Sequence, residues 1–348
     1  MIRMQKRLIC EHSQVISQLF LFDLASMSIF FRPVIALLIT LIFGSAAMAQ
    51  DALSPMERQP HLLVLTTRMP NGKPVVKPWF TGTRGPGLSF AEAEMSPPDR
   101  SIAGRVASVV SGDWAVASVG EVNQDQPARA FAEAALGRDM LLYVHGYRET
   151  FESSAVSAAQ LSSGIGFRGI TAVFTWPSAA ATLDYGYDRE SAMWSRDALL
   201  DALLAAARST SGGKINIVAH SMGTLLTLET LRMFRAEGGE MLMSRIGAIV
   251  LASPDIDIDL FTQLVERLGP DARKITVISS TKDRALALSS QLAGGVVRAG
   301  AANRDRLEEL GVRVADASSF AGGLVNHDLF LSSPDVQQVV RRAIDREK

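Results

Sequence analysis

Short apolar runs alternate with longer stretches of helical periodicity after Arg129, and this alternation constrains the fold more than any other feature. Short continuous apolar runs are typical of strands buried on both faces of a parallel sheet, with helices connecting consecutive strands. The runs predicted as strands are residues 140–144, 170–174, 215–218, 248–251 and 275–278, with a weaker one at 312–315. The sequence therefore predicts an α/β fold with a mostly parallel central sheet and helices on both faces.

Two helices are predicted with particular clarity. Apolar residues recur on one helical face between residues 199 and 207. The chain ends in a helix with Ser333 as its cap and Pro334 at its first helical position. Before residue 129 the pattern is looser, with a strand at 62–65, another within 114–122, and a turn-rich stretch from Gly82 to Gly87.

The first 49 residues are predicted to be a leader, residues 50–128 to be strands and loops of the main domain, and residues 129–348 to be its core. An apolar run at 34–43 precedes Ala47-Met48-Ala49, which is typical of a signal peptide cleaved before Gln50. The upstream residues fit a signal peptide poorly, and we expect translation to begin at Met27. The protein is expected to be exported, periplasmic or secreted, with a retained membrane anchor as the alternative.

Composition excludes several classes of partner and chemistry. The formal net charge is -1 and the basic residues form no stripe, so we expect no nucleic acid partner. Cys10 is the only cysteine, so one chain cannot form a disulfide or a thiolate metal site. At 348 residues with 47% hydrophobic content, one large domain is the simplest organisation. The oligomeric state is left open.

The segment after the predicted strand at 215–218 carries the strongest chemical signal. It reads Ala219-His220-Ser221-Met222-Gly223 and continues into a predicted helix. A nucleophilic serine between a strand and a helix occupies a strained bend, so the residues two before and two after it must be small. Ala219 and Gly223 satisfy this requirement, and Ser221 is the candidate nucleophile.

A serine hydroxyl needs a base to take its proton. In folds of this type the base is a histidine on a loop after the last strand. Of the five histidines only His327 lies that late in the chain, so His327 is the candidate base.

The third group must be a carboxylate that orients the imidazole. Asp283 follows the strand at 275–278 and is the candidate acid. Asp255, which follows the preceding strand, is the alternative acid. If Asp255 is not catalytic, its expected role is to cap the helix that follows.

Attack of a serine on a carbonyl group produces a negatively charged oxygen, the oxyanion, which backbone amides are expected to stabilise. Gly146 follows the strand at 140–144 and permits close approach of the backbone. The amides of Tyr147 and Met222 are the candidate donors, whereas His145 is expected to pack and shape the loop. Residues 177–189, with Tyr185 and Tyr187, are expected to form part of the substrate cleft.

Several motifs together resemble one family of bacterial α/β-hydrolases, catalogued as domain of unknown function 900. They are Thr66-Thr67-Arg68, His145-Gly146-Tyr147, the Trp176-Pro177-Ser178 segment, the Ser221 bend, Ser253-Pro254-Asp255 and Asn326-His327-Asp328. The resemblance extends from about Leu62 to the C-terminus. It implies the α/β-hydrolase fold, a lipase-like or esterase-like activity, and a triad of Ser221, Asp283 and His327.

The leading hypothesis is hydrolysis of a small-molecule or lipid carboxylic ester through an acyl-enzyme, with no cofactor or metal. A thioesterase or an acyltransferase would use the same residues. A catalytically silent exported binding protein is the alternative from a different class. Association with a membrane is expected only if the leader is retained.

Overall fold

The computed structural model describes residues 54–72, 77–99, 114–209, 213–292, 294–320 and 328–348. The predicted leader lies outside these residues, together with Cys10, Met27 and Gln50. His327 also lies outside them. None of the described helices combines the length and apolar character needed to cross a bilayer.

Nine strands of the described chain form one sheet. They are β1 (His61–Pro70), β2 (Phe80–Ser96), β3 (Ala115–Val119), β4 (Met140–Val144), β5 (Ile170–Thr175), β6 (Ile215–His220), β7 (Ile246–Ala252), β8 (Ile275–Ser279) and β9 (Arg313–Asp316). Their order is β3-β2-β1-β5-β4-β6-β7-β8-β9. The β1–β2 and β2–β3 pairs are antiparallel and all other neighbours are parallel.

Helices connect most of the strands. They are α1 (Pro55–Arg58), α2 (Pro127–Ala135), α3 (Phe151–Gly164), α4 (Tyr185–Trp194), α5 (Arg196–Arg208), α6 (Gly223–Met243), α7 (Ile258–Leu268), α8 (Arg284–Leu292), α9 (Arg304–Glu308), α10 (Leu329–Ser332) and α11 (Pro334–Arg346). Pro334 begins α11 as predicted. Ser333 occupies the N-cap position as predicted, although its side chain accepts no capping hydrogen bond from the described first turn.

Alternate residues of β4 enter two cores on opposite faces of the sheet. Leu142 and Val144 pack in the core that includes residues of α2, α5, α6 and α7. Leu141 and Tyr143 pack in the core that includes residues of α3, α10 and α11. Because both faces are buried, the run is continuously apolar. The predicted α/β fold with a mostly parallel sheet covered on both faces is confirmed.

The turn predicted from Gly82 to Gly87 is wrong, because these residues continue strand β2. A Cβ atom at Gly85 would lie 2.7 Å from the carbonyl oxygen of Arg68 on the neighbouring strand. A Cβ atom at Gly82 would lie 2.7 Å from the carbonyl oxygen of Ser178. The glycines therefore permit close approach of neighbouring backbone instead of marking a reversal of the chain.

The sheet brings the candidate residues to one edge. Strands β6, β7 and β8 are parallel neighbours, so their carboxyl ends lie side by side. Ser221 follows β6, Asp255 follows β7 and Asp283 follows β8. This carboxyl edge is where ligands bind in open α/β sheets.

Candidate active site

Ser221 lies at a tight bend between β6 and α6. Its φ of 49° is in the left-handed region, which costs a non-glycine residue about 1–3 kcal/mol. The Ser221 amide donates to the Ala252 carbonyl at the end of β7 (2.9 Å), and the Ser221 carbonyl accepts from the Thr224 amide (3.1 Å). The neighbouring strand and the first turn of α6 therefore hold the strained conformation.

Two glycines allow the end of β4 to approach this bend. A Cβ atom at Gly223 would lie 2.3 Å from the His145 carbonyl oxygen and 2.9 Å from that of Val144. A Cβ atom at Gly146 would lie 2.9 Å from Ser221 Cβ. The residues after β4, which we call the β4 loop (residues 145–149), thus lie directly against the candidate nucleophile.

His145 is completely buried and organises the β4 loop. Its ring stacks on Trp176, with centroids 4.6 Å apart. Nε2 accepts a hydrogen bond from the Trp176 amide (3.0 Å), and Nδ1 donates to the Gly146 carbonyl (2.8 Å). Burial, reinforced by the Arg68 guanidinium, holds the pKa of His145 well below its usual value. The ring is therefore neutral, with its proton assigned to Nδ1 by its partners.

The hydrogen bond from His145 orients the peptide between Gly146 and Tyr147. This peptide is trans, since the cis bond among the described residues is Lys77-Pro78. In a trans peptide the carbonyl and the amide point in opposite directions. Anchoring the Gly146 carbonyl therefore fixes the direction of the Tyr147 amide. Within the described chain, neither this amide nor that of Met222 donates to a backbone acceptor.

Asp283 is buried just beyond β8. Its Oδ1 accepts hydrogen bonds from the amides of Ala285 (3.0 Å) and Leu286 (3.1 Å) in the first turn of α8. These bonds stabilise a carboxylate near a helix N-terminus. They hold Asp283 at the carboxyl edge of the sheet, where a triad acid is needed.

Asp255 is buried in a different set of contacts. Its Oδ1 lies 3.1 Å from Nε of the buried Arg298 and accepts from the Ser289 hydroxyl (2.5 Å). Its Oδ2 accepts from the Tyr185 hydroxyl (2.9 Å). The carboxylate does not cap α7, because Asp257 does so. The helix-cap explanation considered for Asp255 is therefore wrong, and an ion pair replaces it.

The structure does not describe His327, but it describes the next residue. Asp328 Oδ1 lies 3.4 Å from Nε2 of the buried His220. His220 precedes Ser221, and Asp328 follows His327 in the sequence. The contact therefore joins the direct sequence neighbours of the two residues predicted to exchange a proton.

Tyrosines border the β4 loop and the residues after β5. The rings of Tyr147 and Tyr185 meet edge to face, with centroids 5.4 Å apart. The Tyr147 hydroxyl donates to the carbonyls of Ala181 (3.0 Å) and Thr182 (2.6 Å). Part of the segment expected to line the cleft is thus in contact with the β4 loop.

The sequence analysis did not identify two buried charged residues, Arg68 and Asp188, as components of the site. Arg68 was noted only as part of a motif, and Asp188 was one of many acidic residues. Both side chains contact loops at the carboxyl ends of β4 and β5. The only sequence signal was the position of Asp188 within the expected cleft segment, 177–189. No group of three or more histidine, cysteine or acidic side chains suited to a metal occurs among the described residues.

The sheet order, the serine bend after β6 and the acidic residues after β7 and β8 define an α/β-hydrolase fold. The chain belongs to the family described as "Alpha/beta hydrolase of unknown function (DUF900)", whose model matches residues 124–343. The match covers more than half of the chain. The match begins after Thr66-Thr67-Arg68, so the matched region is shorter than the region of resemblance inferred from the sequence.

Solved structures resemble this chain at low identity. An uncharacterised protein from Bacillus cereus ATCC 10987 is 13% identical, with 62% of this chain and 60% of that chain covered and a TM-score of 0.40. Carboxylesterase CesB from Bacillus subtilis is 12% identical, with 73% and 87% covered and a TM-score of 0.34. Lipase B from Aspergillus fumigatus is 14% identical, with 62% and 57% covered and a TM-score of 0.39. No curated protein matches the sequence.

Proposed function

We propose that this protein hydrolyses carboxylic esters through an acyl-enzyme on Ser221, with His327 as the base and Asp283 as the orienting acid. The observation that carries the proposal is the strained backbone of Ser221, at φ 49°, directly against the β4 loop. Such strain persists only where the surrounding structure enforces it, and it concentrates at functional sites.

The proposed reaction has two halves. Ser221 Oγ attacks the ester carbonyl carbon while His327 takes the hydroxyl proton. The bond from this carbon to the leaving oxygen breaks, and His327 gives the proton to the departing alcohol. Water then attacks the acyl-enzyme, passing one proton to His327, and the proton returns to Ser221 as the acid is released. Asp283 would stabilise the imidazolium in both halves.

The amides of Tyr147 and Met222 are the proposed oxyanion donors. Met222 follows Ser221, and Tyr147 follows the glycine that lies against it. Donors held in advance at the position of the developing charge avoid reorganisation during the reaction. The hydrogen bond from His145 to the Gly146 carbonyl supports this role, because it fixes the peptide that carries the Tyr147 amide.

Turnover of p-nitrophenyl esters of increasing acyl length tests the proposal. We expect the wild-type protein to release p-nitrophenolate and the free acid, and folded Ser221→Ala to lose the activity. Transfer of the acyl group to an added alcohol in preference to water would assign an acyltransferase instead. Equal turnover by wild type and Ser221→Ala would contradict the assigned nucleophile.

A further inference from the structure

A buried carboxylate and a buried guanidinium hold two loops together beside Ser221. Asp188 is on α4 and Arg68 is on β1, and both side chains are almost fully buried. The loops are the β4 loop and the residues after β5, which we call the β5 loop (residues 176–184). Burying a charge costs free energy unless the charge is hydrogen-bonded or paired, so the partners of these two side chains indicate which parts of the structure they stabilise.

Asp188 accepts hydrogen bonds from both loops. Its Oδ2 accepts from the Arg148 amide (3.1 Å) in the β4 loop and from the Ser178 hydroxyl (2.5 Å) in the β5 loop. Its Oδ1 accepts from the Ala179 amide (2.7 Å). Burial raises the pKa of Asp188, and these three donors oppose that rise by favouring the ionised carboxylate. One side chain thus satisfies amides in both loops.

Arg68 donates to carbonyl oxygens of the same loops. One terminal nitrogen donates to Glu149 in the β4 loop (2.7 Å), and the other donates to Ser178 in the β5 loop (3.3 Å). Nε donates to the Thr175 hydroxyl (2.8 Å), which fixes the guanidinium against β5. Burial lowers the pKa of Arg68 to about 10, opposed most strongly by Asp188. The guanidinium remains charged at neutral pH.

The loops need such support because each contains a strained residue. Arg148 has φ 64° and Ala180 has φ 58°, and neither is a glycine. Asp188 binds the amide of Arg148 itself and the amide of Ala179, which precedes Ala180. Each strained conformation costs about 1–3 kcal/mol and requires neighbouring contacts to persist.

The peptide held by Asp188 adjoins the proposed oxyanion donor. The Arg148 amide belongs to the peptide between Tyr147 and Arg148, whereas the Tyr147 amide belongs to the preceding peptide. His145 anchors that preceding peptide through the Gly146 carbonyl. Both peptide planes of Tyr147 are therefore fixed, one by His145 and the other by Asp188.

We propose that Asp188, braced by Arg68, is a positioning residue that holds the Tyr147 amide in the orientation needed to stabilise the oxyanion. This inference rests on the proposed esterase function of Ser221. Asp188 takes no part in bond making or breaking. It acts through the backbone of the β4 loop, so its loss should weaken binding of the transition state more than binding of the substrate.

The test compares wild type with Asp188→Asn and Arg68→Lys, using p-nitrophenyl butyrate as the substrate. Asparagine removes the charge and replaces one acceptor oxygen with an NH₂ donor, so it cannot accept all three of these hydrogen bonds. Lysine keeps the charge but loses the planar fork that reaches both loops. We expect kcat to fall by about 10- to 100-fold in each variant, with KM within about threefold of wild type.

The inhibition constant of a boronic acid is a measurement that a loss of stability alone would not change. Butylboronic acid forms a tetrahedral adduct with a catalytic serine and uses the same oxyanion donors. Its inhibition constant should rise by the same factor as kcat falls. Asp271→Asn is the matched control, because Asp271 is a buried acid paired with Lys274 beside the amino end of β8. We expect this control to lose stability and to keep the wild-type kcat.

The outcomes separate the inference from the proposed function. If wild type turns over the ester and folded Asp188→Asn has the same kcat and inhibition constant, the positioning role is overturned and the esterase assignment stands. If folded wild type neither turns over esters nor reacts with a fluorophosphonate, both are overturned. Should Asp188→Asn not fold, Ser178→Ala removes one hydroxyl donor to Oδ2. A several-fold fall in its kcat at unchanged KM would support the inference, and a wild-type kcat would overturn it.

Discussion

Asp328 Oδ1 lies 3.4 Å from His220 Nε2, so the residue after His327 contacts the residue before Ser221. His220 is buried beside the ring of Phe330, with centroids 4.9 Å apart, whereas the Asp328 side chain is 63% exposed. The contact therefore joins an exposed side chain next to His327 to a buried residue of the Ser221 bend.

We expect Asp328→Ala to lower kcat without unfolding the protein. The Asp328 carboxylate is largely exposed, so its contact with the buried His220 is worth about 0–1 kcal/mol, which corresponds to a fall in kcat of up to about fivefold. Asp335→Ala, at an exposed position in the first turn of α11, is the control and should keep the wild-type rate. Steady-state kinetics on one p-nitrophenyl ester measures both. An unchanged kcat for Asp328→Ala would show that the contact does not support catalysis.

Gly223→Ala should destabilise the protein and abolish its activity. The added Cβ would lie 2.3 Å from a backbone oxygen of the β4 loop, and such overpacking costs about 1–3 kcal/mol. Gly186→Ala is the matched stability control, because no atom lies within 4 Å of its added Cβ. In helix α4 it should be neutral or stabilising by up to about 1 kcal/mol. Urea unfolding compares the two variants, and equal stabilities would contradict the close approach at Gly223.

Asp283→Asn should mainly lower kcat, whereas Asp255→Asn should mainly lower stability. We expect Asp283→Asn to remain folded and to lose kcat by about 10⁴-fold, because the imidazole would no longer be held in the productive tautomer. Asp255→Asn leaves the buried Arg298 without its carboxylate, which should cost about 3–5 kcal/mol of stability. Kinetics and urea unfolding on both variants separate the roles. A larger loss of kcat in folded Asp255→Asn than in Asp283→Asn would assign the acid to Asp255.

The buried neutral His145 predicts a loss of stability in acid. Its folded pKa lies well below the value of about 6.5 that it has when unfolded, so the unfolded chain binds more protons between these two pKa values. The stability due to the neutral imidazole is therefore complete above pH 6.5. It falls as the pH drops towards the folded pKa, by up to about 1.4 kcal/mol per pH unit.

Urea midpoints at pH 5.5 and 7.5 check this prediction. The difference between the two pH values should shrink in His145→Gln and persist in His61→Gln, a change at an exposed histidine. A difference that is the same in all three proteins would show that another group causes the acid sensitivity.

The sequence predicted best those features that depend on local constraints. The bounds of β4 agree with the prediction because every residue of this strand is buried, which makes the run continuously apolar. The Ser221 bend was predictable because a strand, a small residue on each side and a helix occupy adjacent positions. The predicted positions of Ser221 and Asp283 at one sheet edge follow from the parallel strand order.

Features that depend on distant contacts escaped prediction. Strand β2 resembled a turn because its glycines are explained only by the neighbouring backbone of Arg68 and Ser178. The ion pair of Asp255 involves Arg298, which is far along the chain. The roles of Arg68 and Asp188 depend on burial and on loops from separate strands. No local pattern distinguishes such residues from exposed charges.

Covalent labelling with a fluorophosphonate, followed by mass spectrometry of the proteolytic peptides, tests the central claim most directly. We predict that one molecule of probe is added to the folded wild-type protein, on Ser221, and that Ser221→Ala takes up none. Labelling of the wild type at another residue, or no labelling of the folded protein at all, would contradict the account.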